Sequence, residues 1–251
     1  MGDPRQNPGH ATRADAASAV VFLDPVCQQA YDTASITRQA TAGTEASVIR
    51  IADALGALVM QHNRTESTGR YGPVQPSAGV RHVVVVRDSR ALRLARQLFP
   101  GARLHLWVHH YMPPGSKLFL RFAATATLLR ETGADMICVS DDHRRAMNVA
   151  LGLLGLGHIV NTHTIYNPIE DSLVPDGTPI DERKLVFFSS PNKGLKFTLD
   201  AFAELRRRMP DLRLTVGNPG YRLWALPETT GVEYLAPQPQ RQIHAEVRSA
   251  L

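Results

Sequence analysis

Short apolar runs alternate along this chain with longer stretches in which apolar residues recur at three and four positions. Val83, Val84, Val85 and Val86 form an unbroken run, the mark of a parallel strand covered on both faces. Residues 19–23, 57–60, 136–140 and 159–164 read as further strands, and residues 104–109 alternate Leu104, Leu106 and Val108 with His105, Trp107 and His109. Helices are predicted over residues 90–98, 119–132 and 141–154. A further helix opens at residues 41–45, with Val48, Ile51, Ala52 and Leu55 on one face, Thr44 as N-cap and Glu45 in the first turn. Residues 61–78, rich in Gly, Ser, Thr and Pro, read as one long loop of the functional or mobile kind.

The same rhythm resumes later in the chain. Residues 184–188 predict a strand, a polar turn follows, and Leu195, Leu199, Phe202 and Leu205 then mark the buried stripe of a helix. Strands are predicted at 213–216 and 232–235, and a helix at 240–251 with Ile243 and Val247 on one side. Strand and helix alternating in this way predict an α/β protein with a doubly wound sheet in each half. The Pro- and Asp-rich residues 170–182 read as a linker between domains at 19–169 and 183–251, and the polar residues 1–18 as a disordered leader. Residues 183–251 fall short of the ~100–150 typical of a domain, so the second sheet is expected to be incomplete.

Composition narrows the function classes. With 43% hydrophobic and 20% charged residues, the 251-residue chain has the make-up of an ordinary globular protein. Its net charge of +5 is scattered and comes without a helix-turn-helix, zinc or ribonucleoprotein signature, so no nucleic-acid partner is expected. The mild basic balance suits an anionic small molecule or a transient contact with an acidic membrane surface. Cys27 and Cys138 form no disulfide framework, which favours a reducing, cytoplasmic compartment. No apolar stretch reaches the ~20 residues that span a bilayer.

The candidate chemistry starts at Ser189, Ser190, Pro191, Asn192, Lys193 and Gly194, between a strand and a helix. Such a turn aims backbone N–H groups outward, the helix dipole adds positive potential, and Lys193 adds a full charge. Lysine is otherwise disfavoured beside a helix N-terminus, so the pattern points to an anion such as phosphate. His109 and His110 end a strand at the edge where open α/β sheets bind ligands, placed to meet a ligand hydroxyl or a developing charge. No metal is expected, because no carboxylate or further histidine stands at ligand spacing from them. Asp141 and Asp142 invite a reading as paired carboxylates, but their place predicts that one of them caps a helix.

Residues 189–195, followed by Thr198, Leu199, Asp200, Ala201 and Phe202 and by Pro210, Asp211, Leu212, Arg213 and Leu214, resemble the opening of the donor-binding half of a retaining, family-four type glycosyltransferase. Tyr166, Asn167, Pro168 and Ile169 are similar to that family's crossover between domains. The resemblance implies two Rossmann-like doubly wound domains in the GT-B arrangement, with the second truncated. It implies a nucleotide-sugar donor and a carbohydrate or lipid-linked acceptor, with no cofactor. Ser189, Ser190, Asn192, Lys193, Gly194 and Asn218 would hold the donor phosphates, His109 or His110 would line the sugar pocket, and Gly43 and Thr44 match a glycine loop beside it. The chain departs from the family in two respects. Phe187, Phe188, Ser189 and Ser190 stand where many members carry an arginine, and the family's paired glutamates are absent. Two rivals follow: a non-catalytic or split subunit that binds a nucleotide or a partner chain completing the second domain, and a sugar-nucleotide epimerase of the same shape.

Overall fold

The computed structural model describes residues 19–111, 117–171, 173–217 and 227–250. The chain divides into two compact units, one of residues up to Ala30 with Val48–Pro168, the other of Tyr31–Ser47 with Ile169–Leu251. Residues 1–18, expected as a leader, lie outside the described residues.

The first unit is built on a seven-stranded sheet in the order β3-β2-β1-β4-β5-β6-β7, parallel throughout. Its strands are β1 (Val20–Asp24), β2 (Leu58–Gln61), β3 (Tyr71–Pro73), β4 (His82–Val86), β5 (Arg103–Val108), β6 (Asp135–Cys138) and β7 (Thr162–Thr164). The helices in chain order are α1 (Ser35–Arg38), which belongs to the second unit, α2 (Gly43–Leu55), whose first turn does and whose remainder belongs to the first, and α3 (Ala91–Leu98), α4 (Lys117–Thr132) and α5 (Asp141–Leu153) of the first. Because successive strand residues face opposite ways, one side of the sheet presents Val21, Leu23, Val83, Val85, Leu104, Leu106 and Met136. These pack on Leu92 and Ala95 of α3, Phe122 and Leu129 of α4, and Met147 and Leu151 of α5 in one continuous core. The other side carries Phe22 against Trp107, ring centroids 6.1 Å apart.

In the second unit β8 (Lys184–Phe187), β9 (Arg213–Gly217) and β10 (Val232–Leu235) form a parallel sheet in the order β10-β9-β8. Leu195 and Phe202 of α6 (Leu195–Arg208) bury against Leu212, Leu214 and Val216. The mixed α/β class with two parallel sheets is the class that the hydrophobic pattern predicts. A last helix, α7 (Gln240–Arg248), is fastened by polar contacts: Lys184 to Glu246 at 2.8 Å, Arg248 to Asp176 at 2.9 Å and His244 to Glu170 at 3.4 Å.

Four expectations need correction. The stretch read as one long loop contains the edge strand β3, whose Gly72 and Pro73 hid it; an edge tolerates a proline. Helix α2 begins earlier than expected, since the Ala46 N–H already bonds the Ala42 carbonyl at 2.8 Å, so Thr44 lies inside the helix and does not cap it. Its buried face is accordingly Val48, Ile49 and Ala52, while Leu55 is 52% exposed. On α6 the stripe passes through Arg206 in place of Leu205: the guanidinium lies 5.9 Å from the Phe202 ring centre and donates to the Leu212 carbonyl.

The carboxyl end of β9 is tightly packed. A Cβ added to Gly217 would lie 2.1 Å from Cδ1 of Phe188, too close for any rotamer adjustment short of moving the ring. Gly217→Ala should therefore destabilise the second unit by about 1–3 kcal/mol through overpacking, read by thermal melting. An unchanged melting temperature would show that Phe188 yields freely.

Candidate functional site

The turn after β8 is assembled from consecutive residues. The Ser190 carbonyl accepts the Lys193 N–H at 2.8 Å, which closes a 3-10 turn over Pro191–Lys193. Gly194 then takes φ +110°, a left-handed conformation that a side chain would strain, and α6 starts at the next residue. The Gly194 carbonyl accepts both the N–H of Thr198 at 3.0 Å and its hydroxyl at 3.2 Å. No side chain caps α6 and its first turn holds no acidic residue, so the leading N–H groups of the helix lack intrahelical acceptors. Lys193 is exposed and, among the described residues, forms no ion pair, whereas Lys196 is engaged by Asp200 at 2.7 Å. The turn therefore combines an uncapped helix start with an exposed ammonium group that no described carboxylate engages.

In the first unit the chemistry gathers at the carboxyl ends of β5 and β6. Ser140, in extended conformation at φ −161°, accepts the His143 N–H at 3.0 Å and caps α5. The cap is thus Ser140 and neither aspartate; Asp141 instead accepts from the Thr164 hydroxyl at 2.7 Å and the Tyr166 hydroxyl at 3.1 Å. His143 Nε2 meets the His110 carbonyl at 3.1 Å, which makes Nε2 the donor and leaves Nδ1 to accept from the Val139 N–H at 3.4 Å. Burial lowers the His143 pKa, which keeps this neutral tautomer.

A cavity of about 450 Å³ opens there, lined by His109, Tyr111, Val139, Asp142, His143 and Ala146. The His109 ring leans on Trp107 at a centroid distance of 4.6 Å, and its Nε2 is buried with no partner among the described residues. Burial pushes the His109 pKa down to about 4, helped by the charge of Arg87 and by His110 and His143. A neutral imidazole in this position offers a hydrogen bond to a hydroxyl. His110 is exposed and is tied into the site through its carbonyl.

Asp24, fully buried at the end of β1, takes Arg87 NH2 on both carboxylate oxygens at 3.1 Å. Arg87 follows β4 and is a non-glycine residue at φ +67°, held there by its N–H on the Trp107 carbonyl at 3.0 Å. Strand order reverses between β1 and β4, and such a switch point is where open α/β sheets receive ligands. Neither residue was singled out from the sequence. The available signal was a charged residue closing an otherwise apolar strand, Asp24 after residues 19–23 and Arg87 after the valines.

Toward the opposite end of the strands, His105 contacts His82 at 3.2 Å and lies 3.7 Å from Asp135, which also takes Arg103 and Asn161. Burial pushes the His105 pKa down to about 4 against the pull of Asp135, with His82, Arg103 and His163 pushing the same way as burial. Among the described residues no group of His, Cys, Asp and Glu is arranged to hold a metal.

A pH dependence follows from His105 and His109. Unfolded histidines bind protons near pH 6.5, whereas these two do so near 4 when folded. Acid therefore favours the unfolded chain. Their contribution is complete above pH 6.5 and fades as pH falls toward 4, before most carboxylates titrate. Melting temperature should drop steadily from pH 7 to 4.5; a flat profile would contradict the burial of these rings as neutral groups.

Ser189, Ser190, Asn192, Lys193 and Gly194 thus share one turn of the second unit, while His109 and His110 stand at the β5 exit of the first. Gly43 and Thr44, expected in a glycine loop, form the first turn of α2. Asn218 lies outside the described residues.

No protein-family model matches the chain, and no curated protein matches its sequence. Solved structures do match. A crystal structure of Anabaena Alr3699/HepE in complex with UDP-glucose aligns with a TM-score of 0.57 and 14% identity, over 91% of this chain and 65% of that one. The fold has a solved relative. Two further structures align at lower scores: the GtfA/B complex, at 0.41 and 14% identity over 59% of this chain and 30% of that one, and the pneumococcal O-GlcNAc transferase GtfA with UDP and GlcNAc, at 0.43 and 14% over 67% and 33%. The chain thus spans less than two thirds of the length of each. At such identity the Alr3699/HepE likeness establishes a shared fold.

Proposed function

We propose that the chain is a glycosyltransferase, or a large part of one, that moves a hexose from a nucleotide-sugar donor to a carbohydrate or lipid-linked acceptor with retention. The observation that carries this reading is the turn at residues 189–194: an uncapped helix start, a left-handed glycine and an exposed Lys193 with no ion pair among the described residues. Charge accumulates on the leaving diphosphate as the glycosidic bond breaks, and preorganised donors at that point stabilise the transition state. Ser189, Ser190, Asn192, Lys193 and Gly194 take that role, joined by Asn218. No side chain is assigned as nucleophile or general acid; Lys193 and the start of α6 are the groups that stabilise the departing diphosphate, a role a metal would otherwise fill. His109, neutral and with Nε2 unengaged, is assigned to a hydroxyl of the sugar or acceptor, and His110 to its support. That Alr3699/HepE holds UDP-glucose on the same fold supports a UDP-sugar donor. No helix among the described residues is long and apolar enough to cross a membrane. The reading extends to a cytoplasmic enzyme of surface-polysaccharide synthesis, for which the two cysteines, joined in no disulfide, suit a reducing compartment and the net charge of +5 suits transient contact with an acidic membrane face.

The test is incubation of the purified chain with a panel of nucleoside-diphosphate sugars and acceptors, with released diphosphate and product anomer read by chromatography and NMR. Release of diphosphate with a retained anomer supports the reading. Inverted product removes retention, and no donor binding at all removes the assignment of the turn.

One observation favours a second reading, a chain that works with a partner. β8 is an edge strand, and all four of its residues are half-exposed. Donor binding without transfer until a companion chain is added would select this reading.

A further inference from the structure

The cavity at the carboxyl edge of the first sheet has three walls: His109 and Tyr111 from the β5 exit, Val139 from the β6 exit, and Asp142, His143 and Ala146 from α5. All three walls meet at one buried side chain. The His143 ring donates from Nε2 to the His110 carbonyl at 3.1 Å and accepts the Val139 N–H on Nδ1 at 3.4 Å. Its own backbone N–H is fixed on the Ser140 hydroxyl at 3.0 Å. Two of the walls are anchored without it: β6 lies between β5 and β7 in the sheet, and α5 buries Met147, Ala150 and Leu151 in the core. The β5 exit is different. The strand ends at Val108, His110 and Tyr111 are exposed, and the His143 bond ties the His110–Tyr111 peptide back to the other two walls.

We propose that His143 is a positioning residue for the transfer reaction: by bridging the Val139 N–H and the His110 carbonyl it sets the β5 exit against the β6 exit, and so holds His109 and Tyr111 in the orientation in which they meet the ligand. The bridge needs an acceptor and a donor on one flat group, and a neutral imidazole protonated on Nε2 supplies both. With both nitrogens engaged, the ring keeps no polar atom for the ligand, although it lines the cavity. Ligand-facing groups act with full effect only when their neighbours lock them in place by packing and hydrogen bonds. A misplacement of about 1 Å can cost ~100-fold in rate. Donor affinity is assigned to the turn at residues 189–194, so the loss should fall on kcat and spare KM. The proposal rests on the reading of this cavity as the place of a sugar or acceptor hydroxyl.

The test compares His143→Leu, which fills the space and makes neither bond, with His143→Gln, whose amide carries an acceptor and a donor at a spacing close to that of the ring nitrogens. On the ligand-free chain near neutral pH, the ring nitrogen chemical shifts should show His143 protonated on Nε2 and bare on Nδ1. His143→Leu should move the ring signals of His109 and the amide signals of Val139 and Tyr111, and His143→Gln should return them toward their wild-type positions. In the transfer assay with nucleoside-diphosphate sugars, the leucine variant should lose about 10–100-fold in kcat with the donor KM within about threefold, and the glutamine variant should recover most of that loss. Equal losses in the two variants overturn the proposal, because they would report the shape of the ring and not its two bonds. Wild-type spectra or an unchanged kcat in His143→Leu overturn it as well, and so does a ring protonated on Nδ1. Should the leucine variant fail to fold, the glutamine variant decides: wild-type spectra and kcat support the bridge, and a loss of about tenfold overturns it. His109→Gln separates this from the reading beneath it: full transfer there removes the cavity from the reaction, while the ligand-free spectra still report whether His143 holds the β5 exit.

Discussion

Lys193→Ala should lose sugar transfer by a factor of about 100 or more while its melting temperature stays within a degree or so of the wild type. The second half of that expectation follows from exposure: Lys193 makes no ion pair among the described residues and none of the packing under α6 depends on it. The first half follows from position. The lysine closes a 3-10 turn just before the left-handed Gly194, so its charge and the unbonded N–H groups of α6 occupy the same small region. Electrostatic stabilisation of a leaving diphosphate acts most strongly where charge develops, and removal of one such donor typically costs ~100–1,000-fold in rate. Lys193→Arg should recover part of the loss, since the charge remains but the guanidinium is broader and planar. Full transfer by the alanine variant would show that the anion, if one binds, is held elsewhere.

The largest effect on stability is expected at Asp24. Asp24→Ala would remove the buried carboxylate that takes Arg87, whose side chain is only 18% exposed and whose backbone is left-handed. Breaking a buried pair from one side costs ~3–5 kcal/mol, and the partial exposure of the arginine sets the expectation near the lower end. For a chain of this size that corresponds to a loss of roughly 6–12 °C in melting temperature. Asp24→Asn should be milder, because an amide oxygen can still accept from the Val26 N–H, now at 3.3 Å from the carboxylate. A fall of less than a degree in Asp24→Ala would mean that Arg87 reaches solvent without cost.

The elements legible in the sequence were those defined by their own residues. The valines of β4 cannot be anything but a buried strand, and the stripe of Leu195, Leu199 and Phe202 names the inner face of α6. What escaped was settled by neighbours. β3 is a strand because Tyr71 and Gly72 find partners on β2, not because Gly72 and Pro73 favour extension. The start of α2 was set by a backbone bond from Ala46 to Ala42, and no side-chain preference for Thr44 could reveal it. The two candidate sites divide along the same line. The turn proposed to hold phosphate is six successive residues, 189–194, and so is visible as a motif. The pairing of Asp24 with Arg87, and the bond of the Arg87 N–H to Trp107, come only from the register of three parallel strands, which pairs Phe22 with Val84 and Val86 with Trp107. His143 likewise looked like one residue of a helix start, until its ring was found to bridge the β5 and β6 exits through the His110 carbonyl and the Val139 N–H.

The most direct test of phosphate binding at the turn of residues 189–194 is an amide chemical-shift map of the chain titrated with UDP. The expected result is a saturable shift of the backbone N–H signals of Ser189, Ser190, Lys193, Gly194 and Leu195, abolished in Lys193→Ala. Saturable binding that leaves those amides unmoved, or that persists unchanged without the lysine, would contradict the account.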